Sequence, residues 1–356
     1  MTNLMCAPVR VVAGIAALLV VWAAASTAPA RAQAQGGTVA MLTCPNTATP
    51  DFRPSPDRDP GRVRAIAPKA GARASAELFS HARYAGLAYE LYGVFDKGGD
   101  VRAAFPNNGL TPVAFLYGEP GPNGERGPRP ARTRTFYGFV ADEAATGRRY
   151  IVFRGTQEPA EWVRNVQAGQ RPYPSGVPAR FATAHVHAGF LKIFESMEIE
   201  TAAGRASLAA SLPGLVANRE TIFVGHSLGS ALATLAGVET ARRSPAIASR
   251  LRVVTLASPR VGDAGFVAMA SRIGRVDRVC NLVDIVTAVP PSTRDISYVH
   301  AGAPFRVSSF DWPALANDVA RPTDQILCWH GDSSYTYMLD PAHARPPASQ
   351  CFKAAR

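Results

Sequence analysis

The chain has 356 residues, with 38 Lys and Arg against 27 Asp and Glu, a formal net charge of +11 at pH 7. That length is enough to bury an ample core, and one large α/β domain is compatible with it. The positive balance favours anionic lipid headgroups or acidic surfaces. The basic residues are scattered, with no Lys/Arg-rich helix and no base-reading motif, so nucleic acid is not an expected partner.

The first 34 residues have the pattern of an export signal. Arg10 gives a positive flank, Val11 to Ala25 an apolar core, and Ala30-Arg31-Ala32 or Ala32-Gln33-Ala34 a small-x-small cleavage site. The apolar run is shorter than the roughly 20 residues a permanent membrane helix needs, and no later run is long and apolar enough to span. Cys6 precedes the apolar core and so does not mark a lipoprotein junction. Cleavage after Ala34 would remove Arg10 and Arg31, lowering the charge from +11 to +9, and would place the chain in a periplasmic or extracellular setting. Cys44, Cys280, Cys328 and Cys351 would then remain, an even number that permits two disulfides in an oxidising compartment.

Residues 35–72 carry six prolines and read as an extended segment. From Ser75 to Tyr92 the positions Leu78, Phe79, Ala82, Ala85, Leu87, Ala88, Leu91 and Tyr92 recur at helical spacing, which predicts an amphipathic helix. The Gly/Pro-rich stretch from Gly118 to Pro130 predicts a loop. Thr135 to Ala141 and Arg148 to Phe153, separated by a turn with Gly147, predict a hairpin. His187 to Ser196 leads into a helix. Strand-like runs at Glu220 to Val224 and Arg252 to Leu256 flank a helix from Leu228 to Arg243, with further strand signals at Val279 to Val283, Ile296 to Val299 and Phe305 to Val307. Alternation of strands and helices predicts a mostly parallel central sheet with helices on both faces and an antiparallel edge from the hairpin. The implied division is a signal at 1–34, the 35–72 segment, one α/β domain over 73–340 and an irregular tail over 341–356.

The most telling residues are Gly225-His-Ser-Leu-Gly229, a G-x-S-x-G set between a strand-like run and a helical one. A nucleophile elbow needs that context: a sharp strand-to-helix turn lifts the serine hydroxyl above the sheet, and the glycines leave room for strand and helix to approach. Ser227 is the candidate nucleophile. A serine hydroxyl needs a base to take its proton, and the base needs a group that fixes its tautomer and balances its charge. In the α/β-hydrolase order the acid and then the histidine follow the serine. Asp284 lies just past the Val279–Val283 strand and is the candidate acid. Asp263 follows a turn-like stretch and suits a helix cap, and Asp277 precedes the strand, at the wrong end of the sheet. After Asp284 only His300, His330 and His343 remain. His343 falls in the Pro-rich tail, His300 ends a strand signal, and His330 begins a polar loop, so position alone leaves His330 and His300 both open.

Several stretches resemble the class 3 lipase family: Val152-Phe-Arg-Gly-Thr156, Trp162 with Asn165, His187-Ala-Gly-Phe190, Val224-Gly-His-Ser-Leu-Gly229, Ser258-Pro-Arg-Val-Gly-Asp263, Val279-Cys-Asn-Leu-Val-Asp284 and Val289-Pro-Pro291. The likeness covers roughly residues 75 to 340. It implies the α/β-hydrolase fold, with the acid at Asp284 and the base at His330, which has an aromatic, Tyr335, a few residues on. It also implies an oxyanion hole from the backbone N–H of Leu228 and from Thr156 through its N–H and hydroxyl. A lid is implied over Gln157 to Gln167, where Trp162, Val163 and Val166 give an apolar face. This lid is short and carries Pro159 in its first turn, unlike the strongly amphipathic lids of the family. The implied activity is hydrolysis of acylglycerol esters without metal or organic cofactor. A phospholipase, a feruloyl or short-chain carboxylesterase, and a catalytically silent binding protein are the rival readings.

Convergence of the acid and base segments on Ser227 suggests a Cys280–Cys328 bridge, leaving Cys44 to pair with Cys351, a terminal link the family resemblance also supports. The competing Cys328–Cys351 pairing closes a shorter loop.

Overall fold

The computed structural model describes Cys44 and residues 72–120, 133–157, 169–309 and 328–344. The expected signal, nearly all of the 35–72 segment, the lid with Trp162, and most of the 341–356 tail lie outside the described residues.

Helix α1 (Ala72–Asp96) covers and extends the helix expected over 75–92, and the predicted apolar positions from Leu78 to Tyr92 are buried. Strands β1 (Leu110–Gly118), β2 (Thr135–Glu143) and β3 (Arg149–Phe153) follow. A small two-stranded sheet pairs β4 (Gln170–Pro172) with β5 (His185–His187), and the latter runs into α2 (Ala188–Glu195). A hairpin of β6 (Glu198–Thr201) and β7 (Gly204–Ser207) precedes α3 (Leu208–Val216). Then come β8 (Thr221–His226), α4 (Leu228–Arg243), β9 (Leu251–Leu256), α5 (Ala264–Ala270), β10 (Arg275–Asn281), β11 (Ala303–Val307) and α6 (Asp332–Leu339).

The main sheet has nine strands in the order β11-β10-β9-β8-β3-β2-β1-β6-β7. From β3 to β11 neighbouring strands are parallel, and from β3 through β2, β1 and β6 to β7 they are antiparallel. The expected β2–β3 hairpin is therefore the inner part of a wider antiparallel wing. Side chains alternate across the parallel part, as period-two geometry requires. Ile151, Phe153, Phe223 and Val253 join one apolar cluster with α2, α3 and α4, while Val152, Val224, Val254 and Val279 join another with α1 and α6. Both faces are thus buried, which explains why β8 and β9 read as unbroken apolar runs. This is the α/β-hydrolase arrangement expected from the sequence. No helix among the described residues is long and apolar enough to cross a membrane.

Two expectations need correction. Ile296 to Val299 is not a strand: Val299 makes only an isolated bridge to Gly262, and the Thr293 N–H turns back onto the Ile296 carbonyl. The cysteine pairing also differs, because Cys280 is bridged to Cys44 and not to Cys328. Alternation along β10 supplies the reason. Val279 shares an apolar cluster with Cys328, and the Asn281 amide donates to the Trp329 carbonyl, so Cys280 between them points to the opposite face. There it clusters with Cys44, Leu282 and Val283, and the Arg306 guanidinium donates to the Cys44 carbonyl. Cys328 is disulfide-bonded as well.

Candidate active site

Strand β8 ends at His226 and α4 begins at Leu228, so Ser227 is the whole of the turn between them. Its φ of 56° lies in the left-handed region that a non-glycine residue occupies only under constraint. The constraint is visible: the Ser227 N–H donates to the Leu256 carbonyl at 3.0 Å, and the Ser230 hydroxyl lies 2.7 Å from the carbonyls of both Gly225 and Leu256. The flanking glycines are needed for close approach. A β-carbon on Gly225 would lie 2.1 Å from the Gly229 carbonyl oxygen, and one on Gly229 would lie 2.3 Å from that of Phe153.

Asp284, just past β10, and His330, just before α6, converge on this turn. The His330 Nε2 atom lies 2.7 Å from Ser227 Oγ, and its Nδ1 lies 2.9 Å from Asp284 Oδ2. All three residues are buried. Asp284 sits three residues past β10 and caps a short 3-10 turn, Ile285–Ala288, its Oδ1 accepting the Val286 N–H at 2.9 Å. Its Oδ2 also accepts the Tyr335 hydroxyl at 2.8 Å, while that hydroxyl's oxygen accepts the Asn281 N–H. A carboxylate with its lone pairs so engaged is held in one orientation toward the imidazole. With the acid on Nδ1, Nε2 of neutral His330 is the acceptor and faces the serine proton.

The rivals are placed elsewhere. The Asp263 carboxylate accepts the Phe266 N–H at the start of α5 and lies 2.9 Å from His185 Nδ1, a capping role. Asp277 lies within β10 and pairs with Arg252 and Arg275. His300 is turned to the Thr287 carbonyl at 2.7 Å, and burial, reinforced by Arg278 and Arg260, lowers its pKa well below the ordinary value. His343 is exposed beside Asp340.

Leu228 opens α4, where unsatisfied N–H groups and the helix dipole favour negative charge. Thr156 lies three residues past β3, partly exposed, on a loop pressed against the elbow: a β-carbon on Gly155 would lie 2.7 Å from Ser227 Cβ. Arg154 anchors that loop. Its buried guanidinium donates to the Phe136 carbonyl at 2.7 Å, to the Gly155 carbonyl at 2.8 Å and to Thr135 Oγ1 at 3.1 Å, and stacks 3.7 Å over the Tyr92 ring.

The structure thus assembles Ser227, Asp284 and His330 in one line, with the start of α4 at Leu228 and the Thr156 loop beside it. A family model described as "Lipase (class 3)" matches residues 150–294, the span from β3 through the elbow to just beyond Asp284. Over these residues the chain is similar to the class 3 lipase family. A protein named phospholipase A1-II 4 from Oryza sativa subsp. japonica is 30% identical over 253 residues, covering 63% of this chain and 61% of that protein. A Rhizomucor miehei protein named lipase is 29% identical over 193 residues, covering 54% of this chain and 50% of its own length. The chain therefore spans about half to three fifths of the length of these relatives. The solved Rhizomucor miehei triacylglyceride lipase aligns with a TM-score of 0.48 at 22% identity, over 67% of this chain and 82% of that one.

Sequence reasoning missed Asn281, Tyr335 as a partner of the acid, Tyr89 and His226. Asn281 ties the acid strand to the base segment through the Trp329 carbonyl at 2.9 Å and to Ser309 at 2.7 Å. The Tyr335 signal was present as the aromatic after His330, but nothing in spacing alone tells a hydrogen-bonded tyrosine from a core one.

Proposed function

We propose that this chain is a serine-dependent carboxylic ester hydrolase acting on acyl lipids, with acylglycerols as its substrates. The observation that carries this reading is the unbroken line from Ser227 through His330 to Asp284, at 2.7 and 2.9 Å. In the proposed route, His330 Nε2 takes the Ser227 proton as Oγ attacks the acyl carbonyl. The Leu228 N–H and Thr156 hold the resulting oxyanion, and Asp284 balances the imidazolium. Collapse expels the alcohol with the proton from His330 and leaves an acyl-serine. Water then adds with His330 again as base, releasing the fatty acid and restoring Ser227. No step calls on a metal or organic cofactor.

A phospholipid substrate is the second reading. It is favoured by the relative named phospholipase A1 and by the chain's net charge of +11, which suits anionic interfaces. Export is proposed from the Arg10 flank and the Val11–Ala25 apolar run; mass spectrometry of the N-terminus after expression in a host with a secretion pathway tests it, and a retained Met1 counts against cleavage.

The test of function is fatty-acid release by purified protein from triacylglycerols of graded chain length, beside diacyl phospholipids and feruloyl esters. Release from glycerides is expected, release from phospholipids alone selects the second reading, and release from neither defeats both. A serine-directed phosphonate should label Ser227; a folded protein that it does not label would be a silent scaffold.

Thr156→Val is expected to lower kcat with little change in KM, since the hydroxyl matters most once charge has formed on the carbonyl oxygen. Losing a whole donor costs about 3–4 kcal/mol in a serine protease, so about 1–2 kcal/mol is expected where the backbone N–H remains. Steady-state kinetics showing unchanged kcat and a raised KM would remove the side chain from this role.

A further inference from the structure

The residue before the nucleophile, His226, is buried and takes no part in the proton route described above. Its ring nevertheless meets two other parts of the site. Nε2 lies 2.7 Å from the main-chain carbonyl oxygen of His330, and Nδ1 lies 2.9 Å from the hydroxyl of Tyr89 on α1. The Tyr89 oxygen in turn accepts the Gly155 N–H at 2.9 Å.

The direction of every bond follows from the groups themselves. A carbonyl only accepts, so His226 carries its proton on Nε2; the neutral ring then offers Nδ1 as acceptor to the Tyr89 O–H. Burial holds this state, driving the His226 pKa well below its ordinary value and pushing that of Tyr89 upward. The result is a directional chain, Gly155 N–H to Tyr89 O–H to His226, and His226 N–H to the His330 carbonyl. It joins the loop that carries Thr156, the elbow, and the segment that carries His330, which are far apart in sequence. The space is fitted: a β-carbon on Gly155 would lie 2.4 Å from the Tyr89 oxygen and 2.7 Å from the His226 carbonyl oxygen. The His226 ring is wedged between Tyr89, His330 and Tyr335, at centroid distances of 5.7, 5.0 and 5.9 Å.

We propose that Tyr89 and His226 are positioning residues that hold the Thr156 loop and the His330 segment in register with Ser227. This rests on the reading that Ser227 and His330 carry out ester hydrolysis. Neither residue is within the Ser227–His330–Asp284 line. Their effect is to fix where the oxyanion donor and the base stand before the barrier is crossed, so it falls on kcat and not on substrate binding.

The experiment uses the full chain and a soluble short-chain ester, with folding checked by circular dichroism. Tyr89→Phe removes the hydroxyl that links loop to elbow. His226→Gln keeps an amide N–H where Nε2 stood, and so the tie to His330, but loses the acceptor for Tyr89. Each is expected to lower kcat about tenfold, the scale of leaving one buried polar group unpartnered, with KM within about twofold. Affinity for a boronic acid that mimics the tetrahedral adduct should fall in parallel. Because both variants cut the same link, the double variant should be no worse than the weaker single. A kcat within twofold of wild type in either folded variant, a loss confined to KM, or additive losses in the double variant would overturn the proposal. If Tyr89→Phe does not fold, the split between kcat and KM in His226→Gln decides. A wild-type chain that hydrolyses the ester while Ser227→Ala does not keeps the parent reading intact whichever way these variants fall; a wild-type chain without turnover overturns both.

Discussion

Ser227→Ala should lose ester turnover by about six orders of magnitude while keeping its fold, as loss of the serine does in a protease built on the same triad logic. The elbow does not depend on the hydroxyl for its shape. The turn is held by the Ser227 N–H on the Leu256 carbonyl and by the Ser230 hydroxyl on the carbonyls of Gly225 and Leu256, and alanine keeps all of these contacts. What it loses is the oxygen that His330 Nε2 reaches, at 2.7 Å. Residual hydrolysis would come from the oxyanion donors and substrate binding alone. The measurement is turnover of a soluble ester by purified protein with an unchanged thermal melt. Hydrolysis near the wild-type rate would end the mechanism proposed here.

The second large effect separates two histidines. His330→Ala should cost nearly as much turnover as the serine variant, because members of a triad fail together. His300→Ala should leave kcat within a few fold. His300 is tied to the Thr287 carbonyl, so its loss removes one buried hydrogen bond and costs stability of about 0.5–1.5 kcal/mol. The two variants should therefore diverge in opposite ways, one in rate and the other in melting temperature. A His300→Ala protein that is folded but inactive, beside an active His330→Ala, would transfer the base to His300.

Much of this site is legible in the sequence because its logic is local. The strand, turn and helix around Ser227 occupy consecutive residues, and the helix expected at Leu228 to Arg243 has those bounds in the structure. Asp284 is legible because an apolar run ends just before it. His330 is not settled by position, because His300 also follows a strand-like run, and the family resemblance decided between them. What stayed hidden is non-local or weakly patterned. Tyr89 and His226 lie 137 residues apart, and a tyrosine on an amphipathic helix looks like any other core residue. Strand β1 is interrupted by Pro112 and a register shift, and β7 is exposed throughout, so neither shows clean alternation. The Cys44–Cys280 bridge was misjudged because convergence of two loops was allowed to outweigh the face on which each side chain of β10 stands.

The order in which the parts of the site occur along the chain sets when the chain becomes active during its own synthesis. Tyr89 leaves the ribosome early, Ser227 much later, and His330 another 103 residues after the serine. A nascent chain halted between them carries a nucleophile without a base, and its helix α1 has no α6 to pack against. The bridge that spans 236 residues from Cys44 to Cys280 likewise closes only after the elbow has been made. On the mechanism proposed here, a ribosome-bound fragment ending before residue 330 would lack the base, so hydrolysis would wait until nearly the whole domain has been assembled.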